Sequence, residues 1–316
     1  MQYILAYLLP LVLIIFSGNI FINYIEKINF GQQVRDCGPE SHLKKAGVPT
    51  MGGLLIISVF LIVSVILLTL SAEVITILLT TFIMALTGFL DDFLKISFKR
   101  SLGLKAWQKI LLQTAAALLT AVTAVFISKQ YSLIIPFIGT FNIGAFLKFL
   151  LTFIVVIGSS NAVNLTDGLD GLAAGVTVIV TVSFAVLLYF LGLKEHSLLM
   201  LVMAGSTTAF LWFNANPASV FMGDVGSLAI GAFLGAAAVL TGTEIYLLII
   251  GGIYVVETVS VMIQVPYFKI TGGKRVFKMT PIHHHFELSG LPENKIVFRF
   301  VIITIILSLF AISSIL

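Results

Sequence analysis

Charged residues are scarce in this chain of 316 residues, because Asp, Glu, Lys and Arg together make up only 10% of it. A soluble domain carries about 25%, and so few charges could not cover the surface of a soluble fold of this length. The composition therefore excludes an ordinary cytosolic enzyme, a nucleic-acid-binding protein and a disordered chain. Cysteine is also nearly missing, and a single cysteine cannot form an intrachain disulfide.

Apolar residues make up 59% of the chain and occur in long runs. One membrane-spanning helix needs about 20 such residues. The runs predict ten spans, at about 3–24, 50–71, 73–93, 107–127, 145–163, 171–192, 197–214, 226–241, 244–268 and 296–315. The remainder is too short for a separate soluble domain. We therefore predict that residues 1–316 form a single all-α transmembrane catalytic domain, whose chemistry lies in the loops and helix ends.

Basic residues are distributed unequally between the loops. Fifteen of the eighteen Lys and Arg residues fall in or beside the loops that follow spans one, three, five, seven and nine. Because Lys and Arg accumulate on the cytoplasmic side of membrane proteins, we predict that these loops are cytoplasmic and that both termini lie outside. Ten of the fourteen acidic residues lie on the same side, and we expect the chemistry there.

The segment 128–144 departs from the helical pattern. It contains Pro136, Gly139 and Gly144 among β-branched and aromatic residues. This composition is typical of two short strands joined by a turn. We predict a small hairpin there, and the distribution of basic residues places it on the periplasmic side.

Two adjacent carboxylates, Asp91 and Asp92, end the third span in the sequence GFLDDFLK. The negative end of the helix dipole disfavours anions there, and the two side chains repel each other. Lys95, one turn beyond Asp91, can pair with it, and a divalent metal ion or a proton-carrying substrate could supply further compensation. We interpret the pair as a candidate functional site rather than as a solvated helix end.

Three more aspartates precede or begin spans. Asp167 and Asp170, in NAVNLTDGLDGLAAG, are predicted to share one face of the first turn of span six, where free backbone amides suit a phosphate. Thr166 or Asp167 is the predicted N-cap. Asp224, in FNANPASVFMGDVGS, precedes span eight. Phe221 beside it could stack on a nucleobase or pack in the core.

Histidines and lysines gather on the same side. His283, His284 and His285, in TPIHHHFE, suit either a metal ion or a phosphate, although on a helix one site would not use all three equally. Lys44 and Lys45 precede the glycine-rich GVPTMGG and suit a phosphate, but no P-loop pattern is present.

Aspartate clusters with lysines indicate Mg²⁺ and phosphates. The apolar body indicates a lipid, so we predict a Mg²⁺-dependent transferase that joins a water-soluble phosphate donor to a lipid acceptor.

The chain carries, in order, SHLKKAGVPTMGG, GFLDDFLK, NAVNLTDGLDGLAAG, FNANPASVFMGDVGSLA and TPIHHHFE. These motifs resemble those of the bacterial phospho-N-acetylmuramoyl-pentapeptide transferases, a branch of the polyprenyl-phosphate N-acetylhexosamine-1-phosphate transferase superfamily. The resemblance implies transfer of phospho-MurNAc-pentapeptide from UDP-MurNAc-pentapeptide to undecaprenyl phosphate, which yields lipid I and UMP in peptidoglycan synthesis. It also implies Mg²⁺ as cofactor, ten spans in the bacterial plasma membrane, a cytoplasmic site, a homodimer and a target for nucleoside antibiotics.

The resemblance also implies roles for individual residues. The implied catalytic residues are Asp91, Asp92, Asp167, Asp224 and His283. Among these, Asp91 is the implied base on the lipid phosphate and Asp224 the implied Mg²⁺ ligand. The implied phosphate- and sugar-binding residues are Lys45, Lys95, Lys109, Asp170, His284 and His285. The implied uridine pocket consists of Asn164, Gly168, Leu169, Asn214, Phe221 and Gln264, with Phe221 stacked on uracil.

Two other functions remain open. A sibling transferase would move an N-acetylhexosamine-1-phosphate from its UDP-sugar onto the same lipid, and donor choice would distinguish it. A secondary transporter would also hide carboxylates in a helical bundle, but its site would lie near the midplane, often with internal repeats. Here the polar residues gather at one face and no repeat is visible. Glu257, inside span nine, either pairs with a neighbouring polar group or is a local functional acid.

Overall fold

The computed structural model describes residues 1–27, 47–98 and 103–316, and most of them are helical. The helices, numbered here in chain order, are α1 (Gln2–Lys27), α2 (Gly53–Leu67), α3 (Ala72–Ser97), α4 (Ala106–Val122), α5 (Gly144–Thr166), α6 (Leu172–Phe190), α7 (Lys194–Asn214), α8 (Gly223–Thr241), α9 (Glu244–Ile250), α10 (Gly252–Ile270), α11 (Ile282–Glu287) and α12 (Glu293–Ile312). A π-helical turn, Thr123–Ile127, continues α4. The predicted all-α membrane fold is confirmed.

Nine helices within the described residues are long and apolar enough to cross a membrane. The second of the ten predicted spans is shorter than expected, because α2 has only 15 residues. Helix α2 ends at Leu67, because the backbone of Leu68 is extended. The next helix, α3, is capped by Ser71, whose hydroxyl oxygen accepts a hydrogen bond from the backbone N–H of Val74 at 3.2 Å. The predicted ninth span is divided at Gly251 into α9 and α10.

The predicted hairpin is present. Strand β1 (Ser132–Ile135) pairs antiparallel with β2 (Gly139–Asn142). The hairpin is attached to the bundle: the backbone N–H of Ile134 donates to the carbonyl of Gly242 at 2.8 Å. Close by, the fully buried Lys148 forms an ion pair with the buried Glu244. This end of the molecule lies at the C-terminal end of α4 and the N-terminal end of α5.

Helix α8 lies at the centre of the bundle. In its apolar stretch 89% of the residues are buried, against 22% in the peripheral α1. Gly231 and Gly235 allow close packing on α5, since a Cβ at either position would lie 2.3 Å from an atom of Ser159. This pair therefore packs helices within the bundle. Peripheral helices expose large apolar side chains such as Phe16 and Leu309, as expected of surfaces that face lipid.

The ends of the helices opposite the hairpin hold the polar residues. Contacts join the C-terminal ends of α3 and α5 to the N-terminal ends of α4 and α8, where Asp91, Asn164, Lys109 and Asp224 meet. The start of α6, the end of α7 and the start of α12 meet beside them. The fold thus gathers residues that are far apart in sequence at one end of the bundle.

Candidate active site

Asp91, Asp92 and Asp224 form an acidic cluster at this end of the bundle. Each contributes a carboxylate oxygen, and the three oxygens lie within 4.8 Å of one another. Asp91 and Asp92 are almost completely buried. Carboxylate oxygens at this spacing are a donor set that suits a hard divalent cation. Among the described residues, this cluster therefore fits a metal ion.

Two close helix contacts bring the cluster together. Gly88 of α3 lies against the first turn of α8, where a Cβ on it would be 2.2 Å from the carbonyl oxygen of Asp224. Gly223 has a left-handed φ of +75° and lies against the carboxylate of Asp92. The backbone N–H of Val225 donates to Asp92 Oδ2 at 3.2 Å. Asp92, in the last two turns of α3, therefore accepts a hydrogen bond at the positive end of α8.

Lys95 and Lys109 neutralise part of the cluster's charge. Lys95 Nζ lies 2.6 Å from Asp91, 3.2 Å from Asp92 and 3.1 Å from Asp224. Lys109 Nζ lies 3.2 Å from Asp91 and 2.7 Å from Asp224. The predicted pairing of Asp91 with Lys95 is confirmed. Both lysine side chains are partly exposed, at 31% and 24%.

Neutral donors complete the surroundings of the cluster. Asn164 Nδ2 donates to Asp224 Oδ1 and to Ser227 Oγ, both at 2.9 Å. The backbone N–H of Leu104 donates to Asp91 Oδ1 at 2.8 Å. Asn164, predicted for the uridine pocket, thus contacts the acidic cluster directly. Ser227 was not singled out from the sequence, since one serine in an apolar helix carries no signal of its own.

Asp167 lies next to the cluster, in the loop that follows α5. Burial, followed by the negative charges of Asp224 and Asp92, raises the pKa of Asp167 to about 8, and a hydrogen bond from the backbone of Gly223 partly opposes this shift. A carboxyl group shifted in this way by its neighbours is typical of a functional site. The structure therefore brings Asp167 together with the cluster that the sequence predicted.

The predicted position of Asp170 on the first turn of span six is wrong. Helix α6 begins at Leu172, and its N-cap is Gly171, with a left-handed φ of +76°, rather than Thr166 or Asp167. Asp167 and Asp170 therefore lie in a loop, where glycine takes a conformation that delays the helix. Residues 167–171 are called the aspartate loop below.

Asp170 contacts the segment that follows α7 and the start of α12. Its Oδ2 accepts hydrogen bonds from Asn216 Nδ2 and from the backbone N–H of Ala218, both at 3.1 Å. Its backbone N–H donates to Glu293 at 2.6 Å, and the N–H of Gly171 donates to Asn214 at 3.1 Å. Two amides just before α6, those of Asp170 and Gly171, are thus already bonded. Glu293 therefore helps to hold the aspartate loop. The sequence did not indicate this contact, because Glu293 lies far from the loop along the chain.

The three consecutive histidines have three different surroundings. His283 is fully buried, and its Nδ1 lies 3.0 Å from Glu257 Oε1. His284 Nδ1 lies 3.2 Å from Glu287 Oε2. His285 Nδ1 accepts a hydrogen bond from the backbone N–H of Lys278 at 3.1 Å. As expected, one site does not use the three equally, and none belongs to the acidic cluster.

The residues predicted for the uridine pocket have different structural surroundings. Asn214 binds backbone groups on both sides, since it accepts from Gly171 and donates to the carbonyl of Val220 at 2.8 Å. Gln264 makes three hydrogen bonds to the backbone of residues 276 and 277. The side chain of Phe221 is half-buried.

Two further predicted positions flank the buried histidine. Leu169 is buried, and Gly168 lies against His283. Lys44 and Lys45, predicted to bind phosphate, lie outside the described residues. The uridine pocket and the phosphate contacts stay predictions.

Comparisons with known proteins agree with the geometry. The model of glycosyl transferase family 4 matches residues 74–242, and signature 1 of the phospho-N-acetylmuramoyl-pentapeptide-transferases matches residues 45–57. The phospho-N-acetylmuramoyl-pentapeptide-transferases of Clostridioides difficile and Desulforamulus reducens are 47% and 45% identical, over 95% and 96% of this chain and 94% and 92% of their own length. That of Francisella philomiragia is 43% identical over 95% of this chain and 88% of its own. With this identity over nearly its whole length, the chain belongs to the family of the phospho-N-acetylmuramoyl-pentapeptide transferases.

Proposed function

We propose that this protein transfers phospho-MurNAc-pentapeptide from UDP-MurNAc-pentapeptide to undecaprenyl phosphate, with Mg²⁺ as cofactor. An oxygen of the lipid phosphate attacks the β-phosphorus of the donor. The bond from that phosphorus to the oxygen bridging to the α-phosphate breaks, UMP leaves with that oxygen, and lipid I is formed. The acidic cluster with its two lysines carries the proposal, because phosphoryl transfer needs positioning and charge neutralisation more than covalent chemistry.

The residues of the cluster have separate parts in this reaction. Asp91 takes the proton of the attacking lipid phosphate, and Asp224 with its neighbouring carboxylates holds Mg²⁺. When bound, Mg²⁺ would offset the negative charge of the two reacting phosphates. Lys95 and Lys109, which contact the cluster and whose side chains are partly exposed, bind donor phosphates. Asp167 and its loop bind the nucleotide side of the donor.

Direct attack is preferred to a phospho-enzyme. In the alternative scheme an aspartate of the cluster would attack first and carry the phosphosugar. In the direct scheme Lys95, Lys109 and a bound Mg²⁺ would offset the repulsion between the two reacting phosphates, so no covalent intermediate is needed to bring them together. A covalent step adds little when positioning dominates the catalysis.

The cellular arrangement follows from the charge distribution. The loops richest in Lys and Arg adjoin the end of the bundle that holds the acidic cluster, so that end faces the cytoplasm. Both termini then lie outside, and the hairpin is periplasmic. The plasma membrane supplies the lipid acceptor directly to the helix ends. A homodimer in this membrane is part of the proposal.

The central test measures UMP release by the purified protein. It is incubated with undecaprenyl phosphate, Mg²⁺ and either UDP-MurNAc-pentapeptide or UDP-GlcNAc. We expect UMP and a new lipid-linked product with UDP-MurNAc-pentapeptide alone. UMP release from UDP-GlcNAc instead would favour the sibling transferase, and substrate uptake into proteoliposomes without UMP release would favour a transporter.

Metal removal gives a second test of the same proposal. We expect chelation by EDTA to reduce UMP release to background, and excess Mg²⁺ to restore it, because three carboxylates within 4.8 Å of one another lose their common cation. The thermal unfolding temperature of the protein without substrates is measured in parallel with and without Mg²⁺. Full turnover in the presence of EDTA, with no shift in unfolding temperature, would contradict a metal at the acidic cluster.

A further inference from the structure

A carboxylate and an imidazole are buried together beside the aspartate loop. Glu257 of α10 and His283 of α11 both have no solvent-exposed surface. Glu257 Oε1 lies 3.0 Å from His283 Nδ1, and Oε2 accepts a longer contact of 3.5 Å from the backbone N–H of His283. One carboxylate therefore contacts both the ring and the main chain of one histidine. A charged group inside a membrane span is costly unless it is paired or functional.

The other ring nitrogen of His283 points into the aspartate loop. His283 Nε2 is buried and has no hydrogen-bond partner among the described residues. It lies against Gly168, where a Cβ would be only 2.2 Å away. Gly168 follows Asp167, which lies next to the acidic cluster. A buried polar atom that is left without a partner is costly, so its position indicates a partner that arrives with the substrate.

We propose that Glu257 is a positioning residue, which holds His283 so that Nε2 faces the aspartate loop and binds the sugar-nucleotide donor. The inference rests on the proposed function. A carboxylate only accepts hydrogen bonds, so the contact requires a proton on His283 Nδ1. In a neutral ring Nε2 then carries a lone pair, which accepts a hydrogen bond from the donor once the aspartate loop that covers it moves away. A carboxylate that binds one ring nitrogen of a histidine fixes the orientation of the ring, as it does for histidines that bind metal ions.

The inference changes the interpretation of the histidine run. By residue type alone, the sequence offers His283, His284 and His285 as candidates for a metal ion or a phosphate, and the family resemblance implies a catalytic role for His283. In the structure only His283 combines full burial, a charged partner and an unpartnered nitrogen beside Gly168. His283 is therefore the histidine through which Glu257 acts on the donor.

A double-mutant cycle tests the inference. The variants are Glu257→Gln, His283→Asn, which removes Nε2 but keeps a donor near Nδ1, and the double variant. We expect Glu257→Gln to lower kcat for UMP release by about 10- to 100-fold, with the KM for undecaprenyl phosphate within about twofold because the lipid does not contact His283. We expect the double variant to be no slower than His283→Asn, because Glu257 acts only through that ring.

Glu244→Gln is the matched control, since Glu244 is another buried glutamate in an ion pair, at the hairpin end of the bundle. It is expected to lower the unfolding temperature but to leave kcat within about twofold once folded protein is assayed. A kcat for Glu257→Gln like that of the wild type overturns the inference. The inference is also overturned if the fold-losses in kcat of the two single variants multiply in the double variant, because Glu257 would then act independently of His283. If the wild type itself releases no UMP, the proposed function fails, which is a separate outcome.

Discussion

Replacing Asp224 by asparagine is expected to lower kcat by about 10³-fold, the size of effect seen when a central charge-stabilising group is removed. Three side chains donate to the Asp224 carboxylate: Lys95 at 3.1 Å, Lys109 at 2.7 Å and Asn164 at 2.9 Å. The amide group of an asparagine would place its own N–H groups against one of these donors. The substitution therefore removes the proposed metal ligand and misaligns both lysines at once.

The measurement is kcat for UMP release together with a Mg²⁺ titration, and we expect the Mg²⁺ concentration at half-maximal rate to rise. Glu73→Gln is the control, because Glu73 lies in the first turn of α3, at the far end from the cluster, and its partly exposed side chain contacts His196. This substitution is expected to leave kcat within about twofold, as for most surface changes. An Asp224→Asn enzyme that keeps more than a tenth of the wild-type kcat would contradict the assigned role.

The helices and the hairpin could be predicted from the sequence because their signals are local. A run of apolar residues predicts a span wherever it lies, and Gly139 among β-branched residues predicts a turn. The acidic cluster was predicted for a related reason: carboxylates are so costly at membrane depth that those at helix ends indicate function. Asp91, Asp92 and Asp224 lie together in the structure as this reasoning requires.

The remaining features depend on contacts between distant segments, which one sequence does not show. Glu257 and His283 meet because α11 returns to the side of α10, and Glu293 contacts Asp170 because the starts of α12 and α6 lie together. The start of α6 was misplaced for a different reason. Pattern and capping preferences favour Thr166 or Asp167 as the N-cap, but the helix begins after Gly171, which has a left-handed conformation.

Substituting Gly88 by alanine is expected to lower kcat by about 100-fold, although Gly88 touches no substrate. Its added Cβ would lie 2.2 Å from the carbonyl oxygen of Asp224 and 2.4 Å from the backbone N of Val225. Backbone cannot rotate away as a side chain can, so the first turn of α8 must move from α3. This movement separates Asp224 from Asp92, and a misplacement of about 1 Å at a reacting centre costs about 10²-fold.

Gly158→Ala is the matched control for this substitution. Gly158 also lies within a helix, α5, but a Cβ there would meet no atom within 4 Å, so alanine is expected to raise stability by about 0.5–1 kcal/mol through its helix propensity and to leave kcat unchanged. The experiment measures unfolding temperature and kcat for both variants. Equal activity of Gly88→Ala and Gly158→Ala would mean that α3 and α8 tolerate separation, and that the reaction does not depend on the spacing of the acidic cluster.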